Sequence, residues 1–190
     1  MVASIDGSTS LEGASGGLSS DVDREMLLTL RTLADMIIVG AGTVRAEGYG
    51  QPKKAGQRIG VVSKTGNVDP SSALFASGSG FLILPEDAPP SSLDTVRAGV
   101  GELDLAAALL RLPGSPQFVQ AEGGPNLNGA LASGDLIDEL NITISPQLVG
   151  GDGSRITSHM PASSQRFDLV QLCEDDSFLF SRYQRRRGDD

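Results

Sequence analysis

The chain has 190 residues, 39% of them hydrophobic and 21% charged, which is globular composition with enough apolar surface for one core. Fifteen Lys and Arg against 24 Asp and Glu leave a formal charge of −9, a field that repels nucleic-acid backbones and anionic membrane surfaces. One cysteine, Cys173, and one histidine, His159, exclude an internal disulfide and the Cys/His sets of structural zinc and of zinc nucleobase deaminases. No metal is expected. With no apolar run of membrane-spanning length and no basic-then-apolar leader, a cytoplasmic protein is expected.

In chain order, residues 1–4 read as a short apolar strand, followed by an Asp6-Gly7 turn and a Gly/Ser-rich loop. Residues 21–34 place Val22, Met26, Leu27, Leu30, Leu33 and Ala34 on one helical face, with Ser20 as N-cap and Asp23 three residues on. Met36, Ile37, Ile38 and Val39 form a continuous apolar strand, the pattern of a sheet covered on both faces. Gly40-Ala41-Gly42-Thr43 then opens a short helical turn. Strands are expected over 59–62 and 81–84, a helix over 103–112, a strand over 117–121 and a helix over 126–132. A long strand within 136–149 and two late strands, 166–172 and 178–184, complete the pattern. Strand and helix alternate until the late strands, which have little helix between them. This predicts a single-domain α/β sandwich, with a mainly parallel sheet and an antiparallel C-terminal edge. The Arg185-Arg186-Arg187 tail suggests an anion site, but next to Asp189 and Asp190 it reads rather as a frayed, solvated terminus.

In parallel α/β sheets ligands gather at the carboxyl ends of strands. Three segments fall there. Gly40-Ala41-Gly42-Thr43 lets backbone approach a ligand, and Glu122-Gly123-Gly124-Pro125-Asn126 opens a helix fit for a pyrophosphate. Ser63-Lys64 adds a hydroxyl and a cation. Each turn alone is more often simple geometry than a phosphate site. Asp6 also reads as a turn former, Arg31 as a solvated or salt-bridged helix arginine and Glu122 as a helix-end charge. His159 and Cys173 read as structural.

Taken together, residues 1–7 (MVASIDG), 15–20 (SGGLSS), 30–31 with 34–44 (LR and ADMIIVGAGTV), 122–130 (EGGPNLNGA) and 138–151 (DELNITISPQLVGG) resemble one family. It is the riboflavin-biosynthesis pyrimidine reductase family, the reductase half of the bifunctional deaminase–reductase. The resemblance implies a dihydrofolate-reductase-like three-layer α/β/α sandwich. It also implies NADPH as cofactor, a phosphoribosylamino-pyrimidine as substrate, hydride transfer that opens the ribosyl group to a ribityl chain, and a homodimer. By the same resemblance, Ala3 and Gly17 would line the nicotinamide end, while Gly40, Gly42, Thr43 and Glu47 would face the cofactor. Ser63 and Lys64 would meet the adenosine ribose and its 2′-phosphate, and Gly123, Gly124, Pro125, Asn126 and Leu127 would hold the pyrophosphate. Ser15, Arg31 and Glu122 would contact substrate, Arg31 clamping either a phosphate or a pyrimidine carbonyl. Asp6 and Glu122 would serve catalysis, Asp6 as proton donor or as organiser of the site.

Three departures accompany the resemblance. No zinc deaminase half is expected. Residues 47–52 (EGYGQP) replace a family run that ends in a phosphate-binding arginine, leaving Arg45 or Lys53 to take its place. The family carries strand residues ahead of the position of Met1, one of them a polar substrate contact, so a short first strand is expected. Two rival functions share the cofactor turns: a paralogous NADPH reductase of another heterocycle such as dihydrofolate, and a non-catalytic nucleotide-binding protein.

Overall fold

A computed structural model of the chain describes residues 1–187. Their elements are β1 (Val2–Ser4), a 3-10 turn (Gly16–Leu18), α1 (Asp21–Leu33), β2 (Met36–Gly40), α2 (Ala41–Glu47), β3 (Arg58–Val62), α3 (Ala73–Ala76) and β4 (Gly80–Leu84). There follow β5 (Thr95–Arg97), α4 (Leu105–Leu110), β6 (Val119–Ala121), α5 (Pro125–Ser133), β7 (Glu139–Ser145), β8 (Phe167–Asp175) and β9 (Phe178–Arg185). The chain divides into two compact units, one being Leu27–Leu127 and the other Met1–Met26 with the segment from Asn128 onward.

In the unit Leu27–Leu127 five strands pair in the order β5-β4-β3-β2-β6, every pair parallel. Parallel neighbours need crossovers, and α2, α3 and α4 lie within the links. The apolar runs anticipated from the sequence sit at its centre. Ile37, Val39, Ile59, Val61, Leu82 and Leu84 are buried in one cluster with Leu74 and Phe75 of α3. Asp35 accepts from the N–H groups of Gln117 and Phe118, both at 2.9 Å, which draws the start of β6 alongside β2.

In the other unit the order is β1-β7-β9-β8, with β1 parallel to β7 and the remaining pairs antiparallel. Leu140, Ile142 and Ile144 lie within β7, where the alternating pattern placed a strand. The Phe178 and Phe180 rings stack with centroids 6.5 Å apart. The expected mixture of a parallel sheet and antiparallel late strands is present, with the strands hydrogen-bonded in two sheets.

Several expectations change. α3 and β5 had no periodic signal, being four and three residues long. The helix expected over 103–112 is only Leu105–Leu110, because Asp104 caps it by accepting from the Ala107 N–H at 2.9 Å. Ser20 does cap α1, its hydroxyl accepting from the Asp23 N–H at 3.1 Å. Yet α1 buries none of its residues; Val22, Met26 and Leu27 remain 37–39% exposed and Leu33 62%. The arginine tail is a second correction. Arg185 pairs with Asp135, Arg186 with Asp168 and Arg187 with Asp138, so opposite charges fix the segment read as frayed. Asp189 and Asp190 lie outside the described residues.

Candidate active site

The parallel order brings the three glycine- and lysine-bearing segments to one edge. β3, β2 and β6 are neighbours, so Ser63-Lys64, Gly40 to Thr43 and Glu122 to Pro125 all follow the carboxyl ends of adjacent strands. Two of these turns meet backbone to backbone. The Gly40 N–H donates to the Gly123 carbonyl at 2.7 Å, and the Glu122 N–H to the Ile38 carbonyl at 2.9 Å. A Cβ on Gly124 would stand 2.7 Å from the Thr43 hydroxyl, whereas one on Gly42 would meet nothing within 4 Å. The Gly123–Gly124 peptide is cis. Leu127, on α5, is buried against Gly40, and Pro125 opens the helix. Asn126 is exposed.

Ser63 uses its hydroxyl to accept from the Gly66 N–H at 3.0 Å, which tightens the turn after β3. Lys64 is exposed. Glu47 ends α2 and is exposed. Arg45, one candidate for the missing arginine, donates to the Asn67 carbonyl at 3.1 Å, and Lys53 is exposed.

At the same edge a polar cluster is built around Glu122. Arg31 stands in the last turn of α1, where orphan carbonyls need donors. Gln57 supplies them, its amide donating at 2.7 Å to both the Arg31 and Ala34 carbonyls, while Lys54 adds a bond to Ala34 at 2.7 Å. The Arg31 guanidinium then grips Glu122 bidentately, Nε to Oε1 at 2.7 Å and Nη2 to Oε2 at 2.6 Å. Gln120 Nε2 donates to Oε1 at 2.9 Å, and the Tyr49 hydroxyl donates to Oε2 at 2.6 Å. The Glu122 side chain is only 4% exposed.

Tyr49 reaches this cluster because α2 stops at Glu47. Gly48 takes the left-handed conformation, φ 66°, and its N–H closes on the Val44 carbonyl. The ring packs against the apolar cluster under β2 and β3, and the Arg31 guanidinium lies 5.3 Å from its centroid. Burial and the Glu122 carboxylate push the Tyr49 phenol far above its usual range. The same carboxylate raises Arg31 further, so the guanidinium stays charged and the phenol neutral.

The sequence singled out the loop of Tyr49 as a place where specificity could move, without giving Tyr49 a contact, and named neither Gln57 nor Gln120. A visible signal existed for two of them: Tyr49 lies in the run that departs from the family, and Gln120 is a polar residue inside an apolar strand. Gln57 looks like any loop polar residue.

The remaining sequence candidates lie in the other unit. Ala3 is buried in β1, paired with Ile144. Ser15 precedes the 3-10 turn, and Gly17 within it offers its carbonyl to Gln147 Nε2 at 3.0 Å. Asp6 follows β1 and works as a fastener. Its carboxylate accepts from the Ser4 hydroxyl at 2.5 Å, the Gly150 N–H at 2.7 Å and the Val149 N–H at 3.2 Å. Those bonds hold its pKa at about 2, so it is ionised at neutral pH and suits the organiser role rather than that of a proton donor.

A folded pKa below the unfolded value of 3.8 adds stability above about pH 4, and that contribution is lost as pH falls towards 2. Thermal unfolding of wild type and Asp6→Asn should therefore differ at pH 6 and converge between about pH 4 and 2. A difference that persists to pH 2 would exclude the carboxylate as its source.

The sequence matches the RibD C-terminal domain family over residues 1–179. Among curated proteins it is 27% identical over 187 residues to the 2,5-diamino-6-ribosylamino-4(3H)-pyrimidinone 5′-phosphate reductase of Methanothermobacter thermautotrophicus, covering 88% of this chain and 85% of that one. It is 28% identical over 185 residues to the riboflavin biosynthesis protein RibD of Mycobacterium tuberculosis, covering 93% of this chain but 51% of that protein, so it spans about half of RibD. Among solved structures, a pyrimidine reductase-like protein of Corynebacterium diphtheriae superposes with a TM-score of 0.85 at 25% identity, over 98% of this chain and 90% of that one. Matched along nearly its whole described length, and with the dihydrofolate-reductase-like fold, the chain belongs to the riboflavin-biosynthesis pyrimidine reductase family.

Proposed function

We propose that the protein is an NADPH-dependent reductase of riboflavin biosynthesis that reduces the ribosyl group of a phosphoribosylamino-pyrimidine to the ribityl form. The observation that carries this reading is the meeting of Gly40 to Thr43, Ser63-Lys64 and Glu122 to Pro125 at the carboxyl edge of one parallel sheet. The donor set fits a dinucleotide. Gly42 leaves a side-chain-free surface, Gly124 lets its turn lie against Thr43, Thr43 offers a hydroxyl, and α5 presents its N-terminus after Gly124 to a pyrophosphate. Lys64 offers the charge that a 2′-phosphate would select. When bound, NADPH supplies the hydride.

The chain's own share is to orient the reactants. Arg31 and Glu122 meet the substrate. With four donors on its carboxylate, Glu122 positions Arg31 rather than passing a proton. Asp6 fixes the segment around Val149 and Gly150 behind β1. Ala3, Ser15, Gly17 and Glu47 keep the cofactor and substrate roles that the family resemblance implies.

The reading is tested by titrating the protein with NADPH and with NADH, following reduced-nicotinamide fluorescence; the chain has no tryptophan to compete. NADPH should bind far more tightly than NADH, and Lys64→Ala should cost NADPH about tenfold while leaving NADH unchanged. Binding of neither would sink the reading. Turnover of the pyrimidine against dihydrofolate then separates it from a paralogous reductase, and cofactor binding without turnover would mark a non-catalytic protein.

We also propose a cytoplasmic homodimer. Among the described residues no helix is long and apolar enough to cross a membrane. The one cysteine, Cys173, is exposed, which suits a reducing compartment. β8 has β9 on one side and leaves Leu169, Val170 and Leu172 47–56% exposed, which a second copy would cover. Leu172→Glu should halve the mass measured by sedimentation; a wild-type monomer would refute the dimer.

A further inference from the structure

The Arg31 to Glu122 cluster leaves open which part of the substrate it meets, and its composition narrows the choice. Arg31 brings one positive charge and Glu122 one negative charge, joined by two hydrogen bonds of 2.6 and 2.7 Å. Tyr49 and Gln120 contribute neutral donors to the same carboxylate, at 2.6 and 2.9 Å. A carboxylate has about four lone-pair sites, so Glu122 is saturated. Two of the five N–H donors of Arg31 are spent on it, and its guanidinium carbon lies over the Tyr49 ring, 5.3 Å from the centroid.

Such a cluster has no net charge. A phosphate dianion placed against it would gain Arg31 but meet the Glu122 carboxylate a few ångströms behind, and opposed terms of that kind nearly cancel. A neutral carbonyl or hydroxyl has no such conflict and takes well-aimed N–H donors. Resting on the reductase reading, we propose that Tyr49 is a positioning and specificity-determining residue. Through Glu122 and its own ring it fixes Arg31 to receive an uncharged carbonyl or hydroxyl of the substrate, not its phosphate.

The test follows the side-chain N–H signal of Arg31 Nε by NMR on the whole chain, assigned by its loss in Arg31→Lys. In Tyr49→Phe, which keeps the ring and removes the hydroxyl, this proton should exchange with solvent about tenfold faster or more while the backbone spectrum is retained. Unchanged exchange would overturn the positioning role. Inorganic phosphate should leave the signal in place, and the unphosphorylated ribosylamino-pyrimidine should move it saturably. Saturable movement by inorganic phosphate, or a pyrimidine that binds the chain without moving the signal, would overturn the assignment of an uncharged group. In turnover, Tyr49→Phe should lose the same factor on phosphorylated and unphosphorylated substrate, and a tenfold greater loss on the phosphorylated one would also overturn it. If no pyrimidine moves any signal of the protein, the reductase reading fails; the exchange and phosphate arms still judge the cluster.

Discussion

Replacing Glu122 with alanine is expected to lower kcat/KM by about 100-fold or more and to cost roughly 2–4 kcal/mol of stability. The reason is the company this carboxylate keeps. It is 4% exposed and bound to a guanidinium that is itself only 27% exposed, and removing it leaves Arg31 partly buried without its counter-charge. The stability cost stands below that of a fully buried pair because Arg31 can still turn toward water. Tyr49 and Gln120 lose their common acceptor at the same stroke. Glu122→Gln keeps the shape but removes the charge, and it should recover part of the stability and little of the activity. In a chain of this size the alanine variant should melt roughly 5–12 °C lower by calorimetry. An active variant with unchanged melting would show that Arg31 is held by something else.

The second large effect separates two glycines of the same edge. Gly124→Val should abolish measurable NADPH binding, a loss of about 100-fold or more, at a stability cost of about 1–3 kcal/mol. Its Cβ would sit 2.7 Å from the Thr43 hydroxyl, so Thr43 or the turn must shift. Gly42→Ala should behave oppositely in stability. It lies inside α2 with nothing within 4 Å of the new methyl, and alanine in a helix is favoured over glycine by about 0.5–1 kcal/mol. Its NADPH affinity should nevertheless fall, because the methyl occupies the surface offered to the cofactor. Fluorescence titration beside thermal melting reads both. Undiminished NADPH binding in both variants would move the cofactor away from these turns.

Much of this was legible in the chain of residues. Met36 to Val39, 59–62 and 81–84 are apolar without alternation, and only a strand covered on both faces needs that, so the parallel sheet followed. The alternation of Leu140, Ile142 and Ile144 marked β7, and Ser20 with Asp23 marked the start of α1. The glycine turns and Ser63-Lys64 could be placed at strand ends because a strand followed by a helix leaves no other place for them. Short elements escaped. β5 and α3 are too brief for any periodicity, and they exist because β4 and the apolar cluster offer them partners.

What the sequence by itself determined is therefore the class of fold, the family and the candidate turns, all of which depend on neighbours a few residues apart. Tertiary structure decided the roles of individual polar groups. Arg31 and Glu122 are 91 positions apart and Tyr49 and Glu122 73, and no local pattern couples residues at that separation. The strand order set β6 beside β2 and so brought Glu122 within reach of α1 and of the turn at Gly48. Asp6, read as proton donor or organiser, gained its partners Ser4, Val149 and Gly150, and the arginine tail read as a frayed end became a paired segment, for the same reason. A charged side chain takes its function from the partners that folding brings to it, and those partners were distant in the chain.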